Sequence, residues 1–121
     1  MKRTLKEIDD MNIQALSEKI EATILTKQAD TQREVSSGYT CDLLSWVMAH
    51  GREGMAWITV QTHMNVIAVA TLVGTSAVII CEDSEISDEV IETAKAKSVN
   101  LLRSDKPIYE MCVLLARVIN E

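Results

Sequence analysis

Phenylalanine is missing from this chain, and aromatic residues make up only 3% of it. The core must therefore be aliphatic, with six methionines as adaptable fillers. Cysteine is scarce as well. Cys41, Cys81 and Cys112 are odd in number and widely spaced, and no Cys-x-x-Cys occurs. That excludes a zinc knuckle and a disulfide framework and leaves three reduced, mostly buried thiols as the expectation. Long hydrophobic runs are lacking too. The longest, residues 66–70 and 77–81, fall far short of the ~20 residues of a membrane span. The opening MKRTLKEIDDMN places charges where a signal peptide has its apolar region, so a cytoplasmic protein with no membrane partner is expected.

Positive charge is in deficit. Twelve Lys and Arg face eighteen Asp and Glu, for a net charge of −6 and an isoelectric point near 4.9. A phosphate backbone would be repelled, which disfavours nucleic acid as a partner. Catalytic motifs are also wanting. There is no Gly-x-x-x-x-Gly-Lys-Ser/Thr, no Gly-x-Gly-x-x-Gly, no His-Glu-x-x-His and no Gly-x-Ser-x-Gly. Glu82, Asp83 and Glu85 lack the spacing of a calcium loop and read as a solvated turn. The expectation is a protein that is not an enzyme and has no metal and no cofactor.

What the chain does have is apolar patterning, 47% hydrophobic residues in 121, enough for one compact domain. Residues 1–21 read as an N-terminal helical segment, opened by a capping box at Thr4, Leu5, Lys6 and Glu7. Residues 22–121 read as an α/β domain, the two together forming one unit. Residues 22–26 suit a short strand. Residues 33–40 should be extended, ending in a turn at Gly38, and Asp42 should cap a helix over 43–49 that Gly51 stops.

Residues 55–60 (MAWITV) and 75–81 (TSAVIIC) are unbroken apolar runs, as in strands covered on both faces of a parallel sheet. A helix over 63–73 fits between them. Ser87 caps a helix with Asp88 and Glu89 in its first turn and Lys95 and Lys97 in its last. Residues 100–102 form another strand. A final helix carries Pro107 in its first turn and an apolar face of Ile108, Met111, Cys112, Leu115, Val118 and Ile119. The alternation predicts an α/β three-layer sandwich with a mainly parallel sheet.

Two polar clusters each precede an apolar helical stretch. Gln61, Thr62, His63, Met64 and Asn65 follow a strand and open a helix, whose free N–H groups could hold a phosphate or carboxylate; Thr62 could equally be a plain N-cap. Ser36, Ser37, Gly38 and Tyr39 could supply hydroxyls and a backbone nest, or merely end a strand. Asp42 is either a ligand contact or a helix cap. His50 reads as structural, at a helix end that favours a cation. Ligands of open α/β sheets sit beyond the carboxyl ends of the strands. Ser36, Ser37, Gly38, Tyr39, Asp42, Thr62, His63 and Asn65 are therefore expected to line one concave ligand-binding surface.

The stretches REVSSGY (33–39), DLLSWVM (42–48) and WITVQTHMNVIAVA (57–70) resemble the DRTGG domain family, and the resemblance runs from about Ala22 to Glu121. Gln32 and Ser37 stand where the motif that names the family has Asp and its first Gly. The resemblance implies a fold like the N-terminal domain of HPr kinase/phosphorylase, a homodimer, and an adenine nucleotide as a regulatory ligand. It implies no kinase activity, because the kinases of that family carry their phosphate loop in a separate domain. Two functions follow. One is a stand-alone regulatory, ligand-sensing domain for a small anionic ligand. The other is a non-catalytic structural partner or accessory protein of a redox or metabolic complex.

Overall fold

The computed structural model describes residues 11–27 and 31–120. The capping box expected at Thr4 to Glu7 lies outside them. A five-stranded sheet is sandwiched between two helical layers, in the order α1 (Ile13–Lys19), β1 (Thr23–Ile24), β2 (Ser37–Thr40), α2 (Leu44–His50), β3 (Met55–Thr59), α3 (Asn65–Val73), β4 (Ala77–Ile80), α4 (Asp88–Ala96), β5 (Leu101–Arg103) and α5 (Ile108–Asn120). The strand order is β1-β5-β4-β3-β2. β2, β3, β4 and β5 are parallel, and only β1 runs antiparallel, along β5. This is the three-layer α/β sandwich with a mainly parallel sheet that the patterning predicts.

Strand periodicity explains how continuous apolar runs serve two layers. Successive side chains point to opposite faces. Met55, Trp57, Val78, Ile80 and Leu101 meet α2, α3 and α4 through Val47, Val66, Ile67, Val69, Ala70, Val90 and Ala94. Ala56, Ile58, Ala77, Ile79 and Leu102 meet α1 and α5 through Ile13, Leu16, Ile20, Met111, Leu115 and Val118. Each fully buried Ile or Leu contributes roughly 1.5–3 kcal/mol. The N-terminal helix belongs to this same core and does not pack as a separate unit.

Most boundaries follow local chemistry. Asn12 caps α1 by accepting from the Ala15 amide. Ser87 caps α4 through the Val90 amide, with Asp88 and Glu89 in the first turn and Lys95 in the last. Gly74 ends α3 at φ 82, a left-handed position that costs glycine nothing. Two expectations are corrected. Gly38 is not a turn but the second residue of β2. Asp42 does not cap α2, whose N-cap is Leu43 with no side-chain hydrogen bond.

The parallel strands follow chain order across the sheet without reversal. All three crossover helices, α2, α3 and α4, therefore lie on one face. A crevice at the carboxyl end of a doubly wound sheet arises where the order reverses. This sheet has no such point.

Candidate functional site

At the carboxyl ends of the strands, polar groups are spent on one another. Asp42, just past β2, accepts through Oδ1 from the Thr59 hydroxyl at 2.6 Å and from the Val60 amide at 3.0 Å. The Thr59 hydroxyl in turn accepts from the Gln61 amide at 3.1 Å, and the Gln61 side-chain amide donates to the Asp42 carbonyl at 3.3 Å. Trp57 is fully buried and donates its indole N–H to the Cys41 carbonyl at 2.9 Å. The loop after β2 is thereby fastened to β3.

The start of α3 is closed in the same manner. His63 accepts the Asn65 amide through Nδ1 at 3.1 Å, while the Val66 and Ile67 amides turn back to the carbonyls of His63 and Met64 at 2.9 and 3.0 Å. The accepting Nδ1 assigns the proton of a neutral ring to Nε2. The expectation that this helix start offers free donors is corrected: its first-turn amides are already bonded. The capping group is the imidazole of His63, not the hydroxyl of Thr62, and the N-cap residue itself is Met64.

Beyond β4 and β5 the pattern repeats. The Glu82 amide donates to the Lys106 carbonyl and the Asp83 amide to the Ser104 carbonyl, both at 3.0 Å. Arg103 donates to the Ser84 carbonyl at 2.9 Å and the Asp83 carbonyl at 3.0 Å, and pairs with the Asp83 carboxylate at 2.9 Å. Glu82 reaches across to accept the Ile108 amide at 3.0 Å, capping α5 from a distance. Glu82 and Asp83 hold this loop at φ 65 and 55, a left-handed region that L-residues enter at a cost. Cys81, buried at the end of β4, has its thiol pushed up to about 12 by desolvation, with Cys112, Glu82 and Asp42 adding in the same sense. It stays protonated near neutrality and is a poor nucleophile.

Openings lie instead along β2, the edge strand. On the α5 side a groove of about 420 Å³ is lined by Ser36, Ser37, Gly38, Thr40, Cys112 and Leu115, among others. A Cβ on Gly38 would stand 2.8 Å from Leu115 Cδ2, so a larger residue there would make the Leu115 side chain shift. On the α2 side a groove of about 360 Å³ is lined by Ser37, Gly38, Tyr39, Trp46, His50, Arg52 and Met55. Trp46 is 52% exposed and stacks on His50, with ring centroids 4.0 Å apart at 28°. His50 is fixed by a hydrogen-bond contact of Nδ1 with the Trp46 carbonyl at 3.1 Å. The Arg52 side chain is exposed and has no hydrogen-bond or ion-pair partner among the described residues.

The single surface expected from the sequence therefore does not form. Ser36, Ser37, Gly38 and Tyr39 border the β2 grooves, and Ser37 lies level with Met55 at the start of β3. Thr62 and His63 lie beyond the other end of β3, roughly 17 Å away at the rise of a strand. Asn65 borders a third, mainly apolar hollow between α3 and α4, with Leu72 and Lys97. Asp42 joins the carboxyl-end network. Trp46 and Arg52 lie outside the expected site residues, and His50 is expected there only as a structural group. Their signal was an aromatic residue and two basic groups at positions 46, 50 and 52, beside a helix end in an otherwise acidic chain.

No family model matches the chain, and no curated protein does. Among solved structures, the chain is similar to the CBS and DRTGG domains of the regulatory region of Clostridium perfringens pyrophosphatase, complexed with its activator diadenosine tetraphosphate. The likeness has a TM-score of 0.75 at 12% identity and covers 98% of this chain and 52% of that one. This chain thus spans about half the length of its structural neighbour. The likeness is one of α/β fold.

Proposed function

We propose that this protein is a non-catalytic regulatory domain of the DRTGG type that senses a small anionic ligand, an adenine nucleotide being the best-fitting class. One observation carries the reading. The groove between β2 and α2 combines an exposed indole, a neighbouring imidazole and an unpartnered guanidinium. An indole offers a stacking face for a purine, and a guanidinium offers paired donors to a phosphate. Ser37 adds a hydroxyl on the same wall. The similarity to a regulatory region bound to diadenosine tetraphosphate supports the same class.

Among the described residues, no hydrogen bond joins His50 to a hydroxyl of this groove; its Nδ1 meets the Trp46 carbonyl instead. The one buried thiol at the carboxyl end is protonated, and His63 is occupied as a helix cap. The domain would report ligand through its own stability or through whatever it contacts, without turnover.

Thermal unfolding and calorimetric titration with AMP, ATP and inorganic phosphate test this. Ligand that binds the folded state must raise Tm. Nucleotide is expected to raise it more than phosphate does, and Arg52→Ala should weaken nucleotide binding about 10- to 150-fold, the loss of roughly 1.5–3 kcal/mol for a charged hydrogen bond. Absence of any shift with millimolar nucleotide would overturn the proposal.

A further inference from the structure

We infer that the hollow between α3 and α4 is a second binding site, one that takes a small monocarboxylate with an apolar tail. The composition of α3 prompts it. Its sequence, NVIAVATLV, has no charged residue, although one side of the helix faces solvent. A helix apolar on all sides is normally buried. Here Ala68, Thr71 and Leu72 lie exposed, Leu72 at 71%. Its neighbour α4 shows the usual pattern, with charged residues outside and Val90 and Ala94 inside.

The hollow has the size and the chemistry of a small-molecule site. Its volume of about 390 Å³ falls within the roughly 300–1,000 Å³ of such pockets. Met64, Ala68 and Leu72 give it an apolar wall. The hydroxyls of Thr71 and Thr93 are already spent on the carbonyls of Ile67 and Glu89, at 2.9 and 2.8 Å. Two polar side chains remain. Asn65 and Lys97 both border the hollow, and neither side chain has a hydrogen-bond or ion-pair partner among the described residues.

Topology puts those two at opposite ends. α3 and α4 each connect parallel strands, so both run back from the carboxyl end of the sheet. Asn65 opens α3, whereas Leu72, near its close, and Lys97, just past α4, lie toward the other end. Two helical turns separate the ends, roughly 10 Å. Among the described residues that line the hollow, Lys97 alone is charged, and it is positive in a chain of net charge −6. One ammonium at the end of an apolar trough complements one carboxylate on a tail that covers Leu72. A doubly charged phosphate head would meet a single cation in an acidic field, so the singly charged head fits better. A protein partner would need about 800 Å² on each side, and the apolar strip is one helix wide. The hollow shares no lining residue with the β2 grooves, and the inference stands whether or not those hold a nucleotide.

The test is an amide NMR titration of the whole chain with octanoate, with butyrate and octanamide as controls. Octanoate should move the signals of Ala68, Leu72, Thr93 and Lys97 and leave those of Ser37 and Arg52 in place. Each buried methylene is worth up to about fourfold in affinity, so butyrate should bind roughly tenfold more weakly or worse. Octanamide keeps the tail and loses the charge, and should bind about three- to fivefold more weakly, the worth of a partly exposed ion pair. Lys97→Met keeps an apolar stem and should erase that preference. No shift at millimolar octanoate would overturn the inference, and so would shifts confined to the β2 grooves. Equal affinity for octanoate and octanamide would do the same, as would a preference that survives in Lys97→Met. If that variant does not fold, the comparison of the two compounds on the wild-type chain decides alone. Shifts at the hollow that grow with protein concentration in the absence of octanoate would give it to a second copy and overturn the ligand.

Discussion

The carboxyl end of the sheet and the β2 edge are built from similar residues and end in opposite states. At the carboxyl end, Asp42, Thr59, Gln61, His63, Glu82, Asp83 and Arg103 satisfy one another or nearby backbone. At the edge, Trp46 and Arg52 stay exposed, and Gly38 and Thr40 lie exposed on a strand with no neighbour beyond it among the described residues. Polar residues beyond the strands of an α/β sheet are therefore not in themselves a site. What distinguishes a site is donors and surfaces that the fold leaves unspent, and here monotonic strand order has moved those to the sheet's flank. Substitutions at the closed end should cost stability and spare binding; substitutions at the open edge should do the reverse.

The largest effect is expected at Asp42. Its carboxylate is the acceptor for a fully buried Thr59 hydroxyl and for the Val60 amide. Asp42→Ala strands a buried hydroxyl and removes two charge-assisted hydrogen bonds, at a cost of roughly 2–3 kcal/mol. Urea unfolding should show a lower midpoint at an unchanged slope. Asp42→Asn keeps the Oδ1 acceptor and should lose less. Nucleotide affinity of the folded Ala variant should match wild type; a selective loss of binding with stability intact would place Asp42 in a ligand site and erase the distinction between the two regions.

Glu82 comes next, because two opposed effects meet there. Its carboxylate caps α5 through the Ile108 amide, worth about 1 kcal/mol. Its backbone sits at φ 65, where a Cβ costs about 1–2 kcal/mol that glycine avoids. Glu82→Ala should therefore destabilise by about 1 kcal/mol. Glu82→Gly should fall close to wild type, as relief of the left-handed strain offsets the lost cap. Equal destabilisation by both substitutions would show that the capping bond alone matters.

Much of the fold was legible in the residues because local and global demands agree. Residues 55–60 and 75–81 read as doubly covered strands, and β3 and β4 are buried along their whole length. Ser87 and Gly74 mark helix ends by their own chemistry. The candidate site was less legible, for a non-local reason. A serine-glycine pair suits a turn, yet Gly38 lies in a strand, level with Ala56 of β3, which is distant in sequence. An aspartate ahead of a helix suits a cap, yet Asp42 is taken by Thr59 and Val60 from the neighbouring strand. A threonine and a histidine ahead of a helix suggest an anion cradle, yet the histidine fills that cradle itself. In each case the residue type was informative about hydrogen bonding and silent about which partner was nearest.

The smallest stability effect, and the sharpest test of the comparison, belongs to Arg52. Its side chain is exposed and unpartnered among the described residues, and its backbone amide is held by Met55 Sδ at 3.3 Å, a contact that truncation leaves in place. Exposed side chains away from caps, ion pairs and packing change stability by no more than about 0.5 kcal/mol when replaced. Arg52→Ala should therefore leave the unfolding midpoint essentially where it was while weakening nucleotide binding. The residual affinity should also lose part of its dependence on salt, since one cation no longer contributes to a field that ions screen over about 10 Å at 0.1 M. His63→Ala supplies the mirror image at the closed end. It removes the cap on the Asn65 amide, lowers stability by about 0.5–1 kcal/mol, and should leave the nucleotide isotherm unchanged. If His63→Ala weakens binding while Arg52→Ala does not, the ligand sits at the carboxyl end after all. The bonds that close that end would then have to open to admit it, which amide exchange at Asn65 would reveal.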